Sequence, residues 1–150
     1  MKTWIFQSTP DDFNIDEYIK FEVLFWTIRQ EYFAPQMEIG DIAYIWKSKG
    51  KGGYDAEIIA KGELISKAGN YSDNRVEKLY TSEEKYQESR KFQRIKIKIS
   101  SRGSIWRKDE ILKDDILKKL KIVRFAQNTN YLLSDEEAKR LDILWSKNSN

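Results

Sequence analysis

The chain has 150 residues, with 27 Lys and Arg against 24 Asp and Glu, so its length favours one domain and its net charge of +3 names no partner. A charged fraction of 34% and a mean hydropathy of −0.71 would fit disorder, but 13% aromatic residues require a packed interior or a stacking surface. Cys and His are both absent, which excludes disulfides, zinc ribbons, iron–sulfur clusters, thiol nucleophiles and His-based triads.

In chain order, Thr3–Ser8 alternates Trp4, Phe6 and Ser8 against Thr3, Ile5 and Gln7. It predicts a strand, stopped by Pro10-Asp11-Asp12. Phe13–Phe21 predicts a short helix, Glu22–Ile28 an aromatic strand, and Arg29–Met37 a loop or helical turn around Pro35. A turn at Ile39-Gly40-Asp41 launches a strand over Asp41–Lys47, where Ile42, Tyr44 and Trp46 share one face. Lys47–Gly53 reads as a hairpin tip and Asp55–Lys67 as the returning strand, with Gly62 marking a bulge. Residues 68–90 are polar and resist assignment. Phe92–Ser100 predicts a strand with Ile95, Ile97 and Ile99 towards the core and Arg94, Lys96 and Lys98 facing out. A turn at Arg102-Gly103 and one or two short helices over Asp109–Lys121 follow. The last helix is announced by a capping box, Ser134 with Glu137, and by a staple between Leu133 and Ala138. Ala138, Leu141 and Trp145 form its buried stripe. Strands in the middle with helices around them predict an α+β fold on a curved, mostly antiparallel sheet.

The motifs of common chemistries are missing. Gly50, Gly52 and Gly53 have the wrong spacing for a phosphate loop. The acidic pairs Asp11-Asp12, Glu83-Glu84, Asp114-Asp115 and Glu136-Glu137 read as helix starts or solvated loops, leaving a carboxylate and divalent-metal nuclease as a minority alternative. No apolar run approaches the roughly 18–20 residues that cross a bilayer, and the N-terminus has no signal-peptide core. The expectation is a cytoplasmic, non-catalytic protein with no cofactor, no metal and no membrane partner. Charge is uneven: residues 1–42 carry 3 basic and 8 acidic side chains, whereas residues 43–124 carry 21 and 12. A basic middle is compatible with phosphate contacts, and equally with a solvated lysine face.

Several motifs then fall in register. Trp4, Phe6, Ser8 and Pro10 close the first strand, Trp26-Thr27-Ile28-Arg29 follows, and Gly40-Asp41 opens an aromatic strand ending at Ser48. Phe92 starts an alternating strand, and Arg124-Phe125-Ala126-Gln127-Asn128-Thr129-Asn130 precedes Leu133-Ser134-Asp135-Glu136-Glu137. Over nearly the whole chain this resembles the EVE-domain family of the PUA-like superfamily, which is related to the YTH domains. The resemblance implies a PUA-like curved or barrel-like sheet with flanking short helices and a C-terminal helix. It also implies an aromatic pocket that accepts a modified, flipped-out nucleobase, in DNA or RNA, and in some relatives an effector partner.

By the same resemblance, Trp26 is the pocket's stacking wall, or else a core Trp, and Ser8 reads a base edge, or else is a plain strand-end hydroxyl. Gln7 stands where the family usually has lysine, so an amide replaces a cation there. Phe92 falls where many relatives carry Trp or Tyr and is a candidate second wall, with core packing the alternative. Trp46 is a weaker candidate for the lining, with core packing the alternative, and Gln127, Asn128 and Thr129 are candidates for the rim, or else satisfy a turn. Arg29, with the outward Arg94, Lys96 and Lys98, is a candidate phosphate contact, or in the case of Arg29 the partner of an acid. Competing readings are a binder of a free modified nucleotide and a subunit that docks another protein.

Overall fold

The computed structural model describes residues 1–52 and 54–149; of the expected hairpin tip, Gly53 lies outside them. The alternating segments form β1 (Thr3–Ser8), β2 (Val23–Thr27), β3 (Ile42–Lys47), β4 (Glu57–Leu64), β5 (Arg94–Trp106) and β6 (Asn130–Leu132). They make one curled sheet in the order β2-β5-β4-β3-β1-β6. Among the described strands only β1 and β3 pair in parallel, so both finish at the same end of the sheet, Ser8 opposite Lys47.

Each face of the sheet buries a core. Trp4, Phe6, Leu24, Trp26, Ile45, Ala60, Ile95 and Ile97 pack on one side. Ile5, Tyr44, Trp46, Ile58 and Ile105 pack on the other, against Leu117, Ile122, Leu141 and Trp145. Strict alternation would put Ile99 and Ile105 on one face, yet they belong to opposite cores. Two register shifts between β4 and β5, at Ile58/Ala60 and Lys61/Gly62, let the strands change face and curl the sheet. The bulge expected at Gly62 is therefore present. A Cβ there would sit 2.5 Å from the Lys98 carbonyl oxygen, so only glycine fits.

The helices are short: α1 (Ile15–Tyr18), α2 (Glu83–Ser89), α3 (Lys121–Arg124) and the longer α4 (Asp135–Asn148). Asn14, Ser82 and Ser134 cap α1, α2 and α4, and the Ser134–Glu137 capping box forms as expected. Four expectations need correction. The helix over Phe13–Phe21 shrinks to one turn, because the chain must leave it to start β2 at Val23. Asp109–Lys121 breaks into a π-type turn at Arg107–Ile111 and a 3-10 turn at Leu117–Lys119, before α3 begins at Lys121. β5 runs straight through Arg102-Gly103 instead of turning. Gly103 is there for close approach: a Cβ would lie 2.6 Å from the Asn148 carbonyl oxygen at the end of α4. Finally, β6 was unannounced, since three residues give no readable periodicity.

Candidate functional site

The C-terminal ends of β1 and β2 frame a cavity of about 130 Å³. That is close to the ~150 Å³ that accommodates one benzene ring. Gln7, Ser8, Trp26, Thr27, Arg29, Arg94 and Thr129 line it from the sheet side. Phe13, Tyr18, Val76 and Tyr80 close it from the other side. Ser8 and Trp26 are 18 residues apart in sequence, and Thr129 lies more than 100 further on, so the sheet order alone assembles the site.

Trp26 is 6% exposed, with the Phe6 ring 6.3 Å behind it. No buried side-chain nitrogen or oxygen among the described residues lacks a partner. Among the described residues Trp26 Nε1 and Ser8 Oγ have no hydrogen-bond partner, so neither atom is fully buried, and both residues line the cavity. One wall therefore offers an apolar indole with an N–H donor, beside a hydroxyl that can donate or accept. Gln7 is partly committed: its Nε2 donates to the carbonyls of Ala126 (3.0 Å) and Asn128 (2.6 Å). Its amide oxygen remains as an acceptor.

Asn130 fixes the wall, although it was not among the expected site residues. It is fully buried; its Oδ1 accepts from the backbone N–H groups of Arg29 (2.9 Å) and Gln30 (3.1 Å), and its Nδ2 donates to the Thr27 carbonyl. Gln30 reciprocates, its Oε1 accepting from the N–H groups of Thr129 and Asn130. The pair ties the end of β2 to β6 and so holds Trp26, Arg29 and Thr129 together. The signal for it was Asn130 at the end of the polar loop, but a polar residue in a loop does not declare that it is buried.

The opposite wall joins Phe13 and Tyr18 to Val76 and Tyr80 of the segment that resisted assignment. Tyr18 Oη accepts from Phe25 N–H (2.7 Å) and donates to Asp73 (2.7 Å). Asp73 also takes Arg75 Nε (2.8 Å) and Nη2 (2.7 Å), and Arg75 Nη2 reaches back to the Val23 carbonyl (2.9 Å). This chain of bonds anchors the 3-10 turn Asn74–Leu79 to β2 and presents Val76 and Tyr80 to the cavity. Burial raises the Asp73 carboxyl, but the hydrogen bonds from Arg75 and Tyr18 outweigh it and hold it below the usual range. Burial pushes the Tyr18 hydroxyl well above its ordinary value, keeping it a neutral donor.

The remaining expected site residues separate. Asn128 and Gln127 line an adjoining depression of about 270 Å³ that shares Gln7, Arg29 and Thr129 with the cavity, so they stand at its outer edge. Phe92 is not part of the lining; its ring lies 4.8 Å from the Arg29 guanidinium and supports that side chain instead. Arg29 is also paired with Glu88 at 2.7 Å, and its hydrogen bond and charge lower the Glu88 carboxyl. Trp46 is corrected to the opposite face: it is buried in the second core, because it alternates with Ile45, which faces the first. Arg94 does not face out. It is 4% exposed, donates to the Tyr71 carbonyl (2.9 Å) and lies against the cavity from within. Lys96 sits over the Tyr71 and Phe25 rings at 4.6 and 5.3 Å, and Lys98 lies 3.7 Å from Glu22, so neither borders the cavity.

An EVE-domain profile matches residues 2–141. The chain belongs to the EVE-domain family. Solved structures of this fold include a hypothetical protein from Leishmania major, with a TM-score of 0.73 and 16% identity over 98% of this chain and 96% of that one. Human THYN1, solved in complex with DNA containing 5-methylcytosine, aligns with a TM-score of 0.65 and 16% identity over 96% of this chain and 97% of that one. A Pseudomonas syringae protein aligns at 0.66 and 16% identity over 95% and 98%. At such identity the likeness establishes the PUA-like fold. No match is found among curated proteins.

Proposed function

We propose that this EVE domain binds nucleic acid carrying a modified nucleobase, without catalysis, by taking the flipped base into the cavity beside Trp26. The observation that carries the reading is the pairing of an indole and its free N–H with the free Ser8 hydroxyl at a ring-sized cavity. Bases are read by a flat apolar surface together with donors and acceptors for their edges. The DNA-bound structure of human THYN1, which shares the fold, supports the same use of it. Arg29, held by Glu88 and Phe92 at the cavity edge, is placed to exchange its acid for a phosphate. The lining contributes hydroxyls, an amide and guanidinium groups rather than a pair of acids, and its one carboxylate, Asp12, lies 3.6 Å from Lys85. The test is a binding screen with matched oligonucleotides bearing modified cytosines or adenines, in DNA and in RNA. At least one modified strand is expected to bind tighter than its unmodified twin. Equal affinities across the whole panel would overturn the reading.

A further inference from the structure

A second concavity of about 320 Å³ opens on the other side of the Thr9–Asp12 turn. Thr9 and Asp12 line the first cavity, while Pro10 and Asp11 line the second, so one turn separates them. Both lie at the end of the sheet where the parallel strands β1 and β3 finish. The second is lined by Tyr54, Trp106, Ser48 and Gly50 together with Pro10 and Asp11. Tyr54 is 78% exposed, which a large aromatic on the surface of this chain rarely is.

The concavity is built, not incidental. The β3–β4 hairpin folds back onto the Pro10-Asp11 turn so closely that a Cβ at Gly50 would meet Pro10 Cγ at 2.8 Å and Asp11 Oδ1 at 3.2 Å. Lys51 N–H donates to Asp11 Oδ1 (3.2 Å) and Ser48 Oγ to Thr9 Oγ1 (3.3 Å), which locks hairpin and turn together. Asp55 and Glu57 line the concavity as well: Asp55 accepts Arg107 Nε (2.9 Å) and Lys108 N–H (2.7 Å), and Glu57 accepts Ser104 Oγ. Both acids are hydrogen-bonded, and Asp55 is paired with Arg107. Lys49, Lys51 and Lys108, by contrast, make no ion pair among the described residues.

We infer that this concavity is a second stacking site, which holds the base of a neighbouring nucleotide of the same strand between Tyr54 and Trp106, with Lys49, Lys51 and Lys108 supplying cations for its phosphates. The inference rests on the base-reading role of the first cavity. One exposed and one half-buried aromatic side chain, with exposed lysines in the adjoining segments, are the combination that single strands use, because every base has a π-face and every link a phosphate. The turn between the cavities then divides two bases of one strand, the first held for its identity and the second for its stack.

The indole N–H resonances of Trp26 and Trp106 report on the two cavities separately. A modified single-stranded hexanucleotide is expected to shift both, and the free modified nucleoside only that of Trp26. Tyr54→Ala, at an exposed position, is expected to weaken hexanucleotide binding about 5- to 150-fold, the span of one base–aromatic stack, while nucleoside binding stays within twofold. Lys49→Glu with Lys51→Glu should flatten the salt dependence of strand binding. A hexanucleotide that moves Trp26 but leaves Trp106 unmoved, or a Tyr54→Ala protein that binds it within twofold of wild type, overturns the second site alone. Movement of Trp106 without Trp26 supports the second site and overturns the first, and no movement of either overturns both.

Discussion

The side chain of Asn130 accepts two backbone N–H groups where water is excluded, those of Arg29 and Gln30. Asn130→Ala orphans both donors, at about 1–3 kcal/mol each, so a loss of at least about 2 kcal/mol is expected in urea denaturation. Gln127→Ala, on the exposed loop three residues away, should stay within about 0.5 kcal/mol. Equal effects would mean that Asn130 does not hold the wall. The two tryptophans also divide by role. Trp46→Ala removes a core ring from the far face and is expected to cost about 3–5 kcal/mol of stability without touching the cavity. The motif that names Trp26 was readable because it lies in sequence with Arg29. The support beneath Arg29 was not, because Phe92 and Glu88 reach it only through the folded sheet.

At the level of elements, the strands with clean alternation were legible, and β1, β3 and β5 start within a residue or two of where their apolar periods put them. What alternation cannot reveal is a change of phase. The bulges of β4 and β5 move Ile58 and Ile105 to the second core, whereas the outward reading of Arg94 fails for a different reason. Arg94 opens β5, where the segment around Tyr71 and Ser89 folds over it and offers oxygens to its guanidinium. That segment shows no period of its own, because polar bonds hold it rather than an apolar stripe. Its anchor has a pH signature. Asp73 titrates lower in the folded chain than its unfolded value of about 3.9, so its contribution is complete above that value. The contribution is lost as pH falls through the lower folded value. Asp73→Asn is expected to lower stability at pH 7 by about 1–3 kcal/mol and to make the acid limb of a stability–pH profile shallower. Parallel acid limbs for the two proteins would remove Asp73 from the account.

At the scale of the whole molecule, charge is unevenly distributed along the chain. The first 42 residues carry a net −5 from 3 basic and 8 acidic side chains, and the next 82 a net +9 from 21 and 12. Several of these cations are spent internally, Arg75 on Asp73, Arg107 on Asp55 and Lys61 on Asp142. Binding to a strand should still weaken as salt rises, with a log–log slope of about −0.7 for each phosphate neutralised, whereas binding of a neutral modified nucleoside should hardly move. Identical salt dependences would point to a pocket for a free small molecule. The central claim is that the cavity beside Trp26 senses the modification itself. It is tested most directly by the ratio of affinities for modified and unmodified strands, measured at one salt concentration for wild type and for a Trp26→Ala protein shown by its thermal transition to be folded. Loss of the stack is expected to cost about 1–3 kcal/mol on the modified strand and little on the unmodified one, so the ratio falls towards one. An equal loss on both strands, leaving the ratio unchanged, would contradict the claim.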